Sequence, residues 1–322
     1  MQEIIISANE AGQRFDKLLA KYLNEAPKSF IYKMLRKKNI VLNGKKASGN
    51  EMLSVGDSVK LFLADDTIAK FSKLEITDTK TELDILYEDD HVVFVNKPVG
   101  MLSQKAEAKD ESVVEHLISY LLRSGSLTED DLRKFKPSVC NRLDRNTSGL
   151  LVAGKSLVGL QKMGELFKNR SLKKYYRCLV VGKLEKKQYI KGYLVKNEMT
   201  NKVTVSEKEL PDSLPIETEY APVWTNGSCT LLEVHLITGR THQIRAHLAS
   251  IKHPIIGDYK YGNRKVNDGY KEKYQLQSQL LHAYRLEMPE LIGEFAGISR
   301  KQFTAPLPEL FEHILKAEKD KE

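Results

Sequence analysis

Apolar residues recur with helical spacing near the start of the chain. One amphipathic helix is predicted where they follow i, i+3, i+4, i+7 and i+8: Phe15, Leu18, Leu19, Tyr22 and Leu23. A second helix is predicted from Ser29 to Lys38, and a strand from Ile40 to Leu42. Alternating apolar positions predict another strand at Val59, Leu61 and Leu63. This pattern indicates a small N-terminal domain over residues 1–64.

A second, larger pattern begins after a polar stretch. Residues 65–80 are charged and lack periodicity, so we interpret them as an interdomain linker. The continuously apolar run from Val92 to Val95 is typical of a strand buried on both faces. Amphipathic helices are expected at 113–122 and 157–167, and strands at 83–87, 173–181 and 231–237. Residues 183–228 give only weak strand signals. We expect one catalytic domain over residues 81–322.

Charge adds information about the partner. Across 322 residues the formal net charge is +8, and residues 1–63 carry eleven Lys and Arg against six Asp and Glu. A basic domain suits a polyanion, although a charged run is often only a solvated face. No apolar run approaches the roughly 20 residues of a membrane span, and the N-terminus lacks the pattern of a secretory signal. The three widely spaced cysteines suggest neither disulfides nor a metal site. We therefore expect a cytoplasmic protein.

The segment from Asn141 to Lys155 carries the clearest candidate chemistry. It places Asp144 between Arg142 and Arg145 and then continues into an apolar strand. Flanking cations favour the ionised form of a carboxylate, which is the form that acts as a nucleophile. A structural Asp–Arg network that caps a turn is the alternative for the bare triplet.

A second candidate segment runs from Thr238 to Leu248 and contains Arg245. Its strand–turn–helix pattern with basic residues suits an anion, and Thr241 is the expected N-cap of the helix. His242 and His247 are five residues apart, as in some metal sites, but no third ligand has suitable spacing. We therefore expect no metal.

These segments, in this order, resemble the RluA-type family of ribosomal large-subunit pseudouridine synthases. The resemblance covers nearly the whole chain and includes further motifs: Asn96 to Gly100, Lys173 to Tyr176, Ile255 to Gly262, Leu281 to Ala283, and Phe303 to Pro308. One position departs from the family pattern, because Asn141 stands where the family usually has His directly before Arg-Leu-Asp.

The resemblance implies a role for each matched residue. Asp144 would attack the nucleotide, either at the sugar or by abstracting a ribose proton. Arg245 would form an ion pair with Asp144, and Tyr176 would stack on an extruded uracil. Arg142 would insert into the RNA to displace the target nucleotide. Lys97 would line the cleft, as a phosphate contact or as a plain turn residue. The reaction would require no cofactor.

The N-terminal domain resembles the RNA-binding module named after small-subunit ribosomal protein S four. The matching positions include Arg14, and the run from Pro27 to Lys33 is most similar to the C-type branch of the synthase family. In that module basic side chains contact the RNA backbone. The expected RNA-binding residues are Arg14, Lys33, Arg36 and Lys37.

The predicted fold is therefore α+β. A helix–helix–strand RNA-binding domain precedes a mixed, mainly antiparallel sheet with a central cleft. The expected function is isomerisation of specific uridines to pseudouridine in 23S ribosomal RNA, by a monomer. Two alternatives stay open, namely a synthase directed at transfer RNA and a non-catalytic RNA-binding ribosome assembly factor.

Overall fold

The structure is a computed structural model that describes residues 1–74, 76–79, 82–107 and 109–321. The N-terminal elements are, in chain order, β1 (Gln2–Ile5), α1 (Phe15–Tyr22), α2 (Lys28–Arg36), β2 (Ile40–Leu42), β3 (Lys45–Lys46), β4 (Ser58–Leu61) and α3 (Asp65–Phe71). The four strands form an antiparallel sheet in the order β1-β4-β2-β3. The two predicted helices and both predicted strands are present at the expected positions.

The region expected to be a linker begins with a helix. Ile68 on α3 is buried in the N-terminal core, and the ring of Phe71 lies 4.7 Å from that of Phe30 on α2. The first residues of the predicted linker are therefore helical, because two apolar side chains hold α3 against the N-terminal core. Residues 75, 80 and 81, which include the predicted end of the linker and start of the catalytic domain, lie outside the described residues.

The rest of the chain builds a large mixed sheet with helices against it. Its strands are β5 (Ile85–Glu88), β6 (Val92–Lys97), β7 (Ser138–Val139), β8 (Ser148–Gly154), β9 (Lys173–Val181), β10 (Gln188–Asn197), β11 (Lys202–Ser206), β12 (Leu214–Thr225), β13 (Cys229–Leu236), β14 (Leu281–Glu287) and β15 (Gln302–Thr304). Its helices are α4 (Val113–Arg123), α5 (Glu129–Lys134), α6 (Leu157–Lys168), α7 (Gln243–Ser250), α8 (Arg264–Tyr274) and α9 (Glu309–Lys319), with a 3-10 helix at Gly293–Ile298.

Among the described residues, eleven strands belong to this sheet, and nine follow one path in the order β11-β10-β12-β13-β9-β14-β8-β6-β5. The short strands β15 and β7 pair with β14 and β8. Most pairs are antiparallel, whereas β8 and β14 run parallel. The predicted α+β class with a mixed, mainly antiparallel sheet is confirmed.

Strand β6 lies in the buried part of this sheet, next to the pair formed by β8 and β14. Val92 to Val95 on β6 are completely buried, as their continuously apolar sequence predicts. The adjacent parallel pair of β8 and β14 requires a glycine, because a Cβ atom at Gly149 would lie 2.2 Å from the carbonyl oxygen of Ala283. Gly149 also has a φ of +104°, a conformation that other residues rarely adopt. This close approach fixes the strand that follows Asp144.

The N-terminal core and the main core are separate clusters of buried side chains. Contacts still connect the two parts, since Arg133 on α5 donates to the carbonyl and hydroxyl oxygens of Ser72. Among the described residues, no helix combines the length and apolar character that crossing a membrane requires.

Candidate active site

Asp144 lies in the loop between β7 and β8, and hydrogen bonds on both sides of Asp144 fix the backbone of this loop. The hydroxyl of Ser103 accepts from the backbone N–H of Leu143 at 3.0 Å and donates to its carbonyl at 2.9 Å. Downstream, the N–H of Thr147 donates to the carbonyl of Asp144 at 3.0 Å. The carboxylate remains accessible, with 27% of the side chain exposed. The loop therefore presents one carboxylate from a fixed backbone.

Lys97 supports the same loop from the end of β6. Its side chain is completely buried, and its ammonium donates to the carbonyls of Pro98, Met101 and Arg145 at 2.9, 2.8 and 3.0 Å. Burial lowers the pKa of Lys97 to about 7, against the opposing effect of Asp144. A phosphate cannot reach an ammonium enclosed in this way. Of the two expected roles, the structural one agrees with the geometry.

Asn141, the departure from the family pattern, has a clear local role. Its side-chain oxygen accepts from the backbone N–H of Val152 on β8 at 2.8 Å. The backbone N–H of Cys140 donates to the carbonyl of the same Val152 at 2.7 Å. Asn141 thus helps to attach the start of the Asp144 loop to the sheet.

Arg245 on α7 bridges two carboxylates. Its Nη1 lies 2.8 Å from Oδ2 of Asp144, which is the ion pair that the sequence predicts. Its Nε and Nη2 donate to the two oxygens of Asp258 at 2.7 and 3.0 Å. Burial alone would lower the pKa of Arg245, but the bonds to Asp258 and the charge of Asp144 outweigh burial and raise it. The guanidinium is therefore a fixed cation with its plane set by Asp258.

Asp258 is a residue whose contact with Arg245 the sequence did not reveal. It is 1% exposed, and its Oδ1 also accepts from the backbone N–H groups of Lys260 and Tyr261 at 2.9 and 3.1 Å. The only sequence signal was its position in the Ile255 to Gly262 motif. A carboxylate held by a fork of two guanidinium donors and two amides is well suited to orient that guanidinium.

His242 occupies the turn before α7, where Thr241 was expected to be the N-cap. The N-cap is instead His242, with a left-handed φ of 53° and no capping bond from its side chain. Its Nδ1 bonds the hydroxyl of Tyr261 at 2.9 Å, and its Nε2 lies 3.8 Å from Oδ2 of Asp144. The prediction failed because the imidazole is held by these contacts, and they set the turn.

Burial governs the charge state of His242 and His247. Burial lowers the pKa of His242, Asp144 opposes this, and Arg245 lowers it again. His247 bonds the hydroxyl of Thr218 at 2.9 Å, and burial lowers its pKa to about 4. The described residues include no group of three or more His, Cys, Asp or Glu side chains that could hold a metal ion.

Tyr176 lies on β9 near the carboxylate of Asp144. It is 8% exposed and pairs with Val234 on β13 and Ala283 on β14. Burial raises the pKa of its phenol, and the charge of Asp144 raises it further. The ring is therefore a neutral phenol at physiological pH, next to the carboxylate.

The predicted RNA-contacting residues are all on the surface. Arg142 is exposed two residues before Asp144, Lys33 and Arg36 are exposed on α2, and Lys37 is exposed at the C-cap of that helix. Arg14 differs, because its guanidinium donates to Asp16 at 3.1 and 2.8 Å and to Asn50 at 2.6 Å. Its charge is thus balanced within the N-terminal unit.

The fold is shared with a solved synthase structure. Human RNA pseudouridylate synthase domain containing 4 superposes with a TM-score of 0.57 at 23% identity, covering 73% of this chain and 92% of that one. This likeness defines the class of fold around the Asp144 loop.

Sequence comparison identifies the family. A family model described as RNA pseudouridylate synthase matches residues 91–250. The ribosomal large subunit pseudouridine synthase C of Vibrio vulnificus is 30% identical over 98% of this chain and 96% of that protein. The protein of the same name from Buchnera aphidicola is 32% identical over 97% and 95%. The chain belongs to the RluA-type family of RNA pseudouridine synthases, as its sequence motifs predict.

Proposed function

We propose that the chain converts uridine to pseudouridine in large-subunit ribosomal RNA, with Asp144 as the nucleophile. The names of its relatives from Vibrio and Buchnera support the choice of RNA, since both are ribosomal large subunit synthases that align over nearly their full lengths. We also propose that the protein is cytoplasmic, because that RNA is made and assembled in the cytoplasm. A monomer suffices, because the groups of the proposed site come from one chain.

The observation that carries the proposal is the arrangement of Asp144, Arg245 and Asp258. An accessible carboxylate meets a guanidinium at 2.8 Å, and that guanidinium is oriented by a second, buried carboxylate. Asp258 offsets the charge of Arg245 on the protein side, so the fork is fixed before substrate binds. Asp144 is left with a counter-charge on one oxygen and free access on its other side.

The reaction exchanges bonds within one nucleotide. The bond between N1 of uracil and C1′ of ribose breaks, the base turns, and a bond between C5 and C1′ forms. C5 loses a proton and N1 gains one, so atoms and electrons balance without an oxidant or a reductant. We therefore propose that neither a cofactor nor a metal is required. Asp144 acts either by attacking the sugar or by abstracting a ribose proton.

Two further residues act on the base and its position. Tyr176 offers a neutral ring beside Asp144, and a ring face holds a base while still allowing it to rotate. Arg142 is exposed at the start of the same loop, where it can enter the RNA as the target nucleotide leaves the stack.

The N-terminal unit anchors the RNA through α2. Lys33 and Arg36 project from the helix face opposite the buried side chains of Ile31 and Leu35, and Lys37 follows at the C-cap. Such a face binds phosphates without reading bases. The proposed RNA contacts come from α2 and not from Arg14, because the guanidinium of Arg14 already donates to Asp16 and Asn50.

The test is a map of pseudouridines in a strain that lacks the gene. Carbodiimide-dependent stops of reverse transcription should disappear at specific positions of large-subunit ribosomal RNA. They should return with the wild-type gene and stay absent with Asp144→Asn. If stops disappeared from transfer RNA alone, the choice of substrate would be wrong.

A further inference from the structure

The ammonium of Lys174 has no hydrogen-bond or ion-pair partner among the described residues, although its side chain is partly buried on the strand that carries Tyr176. It lies on β9 two residues before Tyr176, so both side chains point to the same face of the strand. Its ammonium reaches the turn that precedes α7, since Nζ lies 3.2 Å from the position of a Cβ atom built on Gly239. Within the part of the chain that the structure describes, no side chain or carbonyl accepts a hydrogen bond from it.

The cations on the opposite face of the same strand behave differently. Lys173 lies 4.0 Å from Glu287, and Arg177 donates to Glu233 at 3.0 Å. Burial, together with a smaller effect of the charge of Arg170, lowers the pKa of Lys174 to about 8. An unpaired, partly buried ammonium opposes folding, so its presence indicates an anion that arrives later.

A second cation without a partner lies in the same turn. The Nε of Arg240 is buried and has no hydrogen-bond partner among the residues that the structure describes. The turn itself is firmly held, because the side-chain oxygen of Gln243 accepts from the N–H of Arg240 at 3.0 Å and from the hydroxyl of Thr238 at 2.8 Å. The ammonium of Lys174 thus reaches the turn at Gly239, and the unpartnered Nε of Arg240 belongs to the next residue of that turn.

We propose that Lys174 and Arg240 bind a backbone phosphate of the RNA, next to the nucleotide held at Asp144. This inference rests on the proposed function. Lys174 and Tyr176 are separated along β9 by about 7 Å, a spacing that one extended nucleotide can bridge. A phosphate completes a site that has donors and positive charge but no acceptor.

The experiment compares Lys174→Met with Lys173→Met, which makes the same change on the opposite face. The probe is an RNA fragment that the wild-type enzyme modifies, so the proposed function is established before the comparison. Binding is measured between about 50 and about 200 mM salt, and a single-strand phosphate contact contributes about 0.7 to the log–log slope. Lys174→Met should lose this contribution, which reduces the salt-dependent change in affinity about 2.6-fold. Lys173→Met should keep the wild-type slope.

Thermal unfolding separates this role from a structural one. Lys174→Met should unfold at the same or a higher temperature than wild type, because it removes an unpaired ammonium. A lower midpoint would mean that Lys174 stabilises the fold, and equal slopes for the two variants would mean that it does not contact RNA. Either result overturns the proposal. If inorganic phosphate raised the wild-type midpoint while the slopes stayed equal, the site would bind a free anion, and the RNA assignment would be wrong.

Discussion

The Nη1 of Arg245 lies 2.8 Å from Oδ2 of Asp144, although the two residues are 101 positions apart in the chain. Arg245 reaches this position from α7, and Asp258 holds the opposite side of the guanidinium. Side chains from a loop, a helix and a turn therefore form one continuous network of ion pairs. The proposed mechanism depends on this geometry.

Arg245→Ala should lower the single-turnover rate by orders of magnitude, because Asp144 loses its counter-charge. Asp258→Asn should cost less, since the guanidinium remains but one of its orienting carboxylates is lost. Quenched-flow measurement of pseudouridine at saturating RNA provides both rates. If Arg245→Ala ran at the wild-type rate, the ion pair would have no part in the chemistry.

Much of the fold follows directly from local pattern. Val92 to Val95 form the buried strand that their apolar run predicts, and Ile40–Leu42 is a strand with the predicted ends. Strands β10, β11 and β12 gave little signal because many of their side chains are half-exposed and charged. Their place in the sheet is set by pairing of β12 with β13, of β10 with β12 and of β11 with β10, and the pairing of distant strands is not encoded by local sequence.

The site was predictable where motifs supplied the residues and unpredictable where tertiary contacts decide. Asp144, Tyr176 and Arg245 follow from the family motifs. The hydrogen bonds from Arg245 to Asp258 and the turn at His242 depend on side chains that meet only after folding. Lys97 is another example of a contact that forms only in the folded protein. A lysine in a turn is expected to be exposed, whereas the ammonium of Lys97 donates to three carbonyls.

Lys97→Met should destabilise the protein, because the carbonyls of Pro98 and Met101 lose their donor and the carbonyl of Arg145 keeps only the N–H of Gly100. A polar group that loses its partner in the protein interior costs about 1–3 kcal/mol, so the free energy of unfolding in urea should fall by an amount of that order. The rate should fall as well, since the carbonyl of Arg145 is one of the three. The matched variant is Lys174→Met, which should not destabilise. Equal effects of the two variants would contradict the distinction between a structural and an RNA-binding lysine.

Neutralising the face of α2 should weaken RNA binding without slowing the chemistry. In the triple variant Lys33→Gln, Arg36→Gln, Lys37→Gln, the log–log salt slope should fall by up to about 0.9 for each duplex phosphate that the variant no longer binds. The control changes three exposed lysines of the catalytic unit to Gln: Lys183, Lys186 and Lys187. Unchanged affinity and slope in the first variant would show that this face is only solvated surface.

Acid should destabilise the fold through two buried histidines. Burial lowers the pKa of His247 and of His282 to about 4, from 6.5 in an exposed residue. Between these values the unfolded chain binds more protons than the folded one, so stability falls as pH drops from 6.5 towards 4. Urea unfolding at several pH values measures this slope. His282→Asn should reduce this slope. An unchanged slope in His282→Asn would contradict a neutral, buried imidazole.

Asp144 should perform the chemistry and be dispensable for RNA binding. The most direct test is tritium release from RNA labelled at C5 of uridine, measured for wild type and for Asp144→Asn with binding of the same RNA measured in parallel. Asn keeps the size of the side chain and removes its charge. We predict that release is abolished while affinity stays within a few-fold of wild type. Appreciable tritium release by Asp144→Asn would contradict the account.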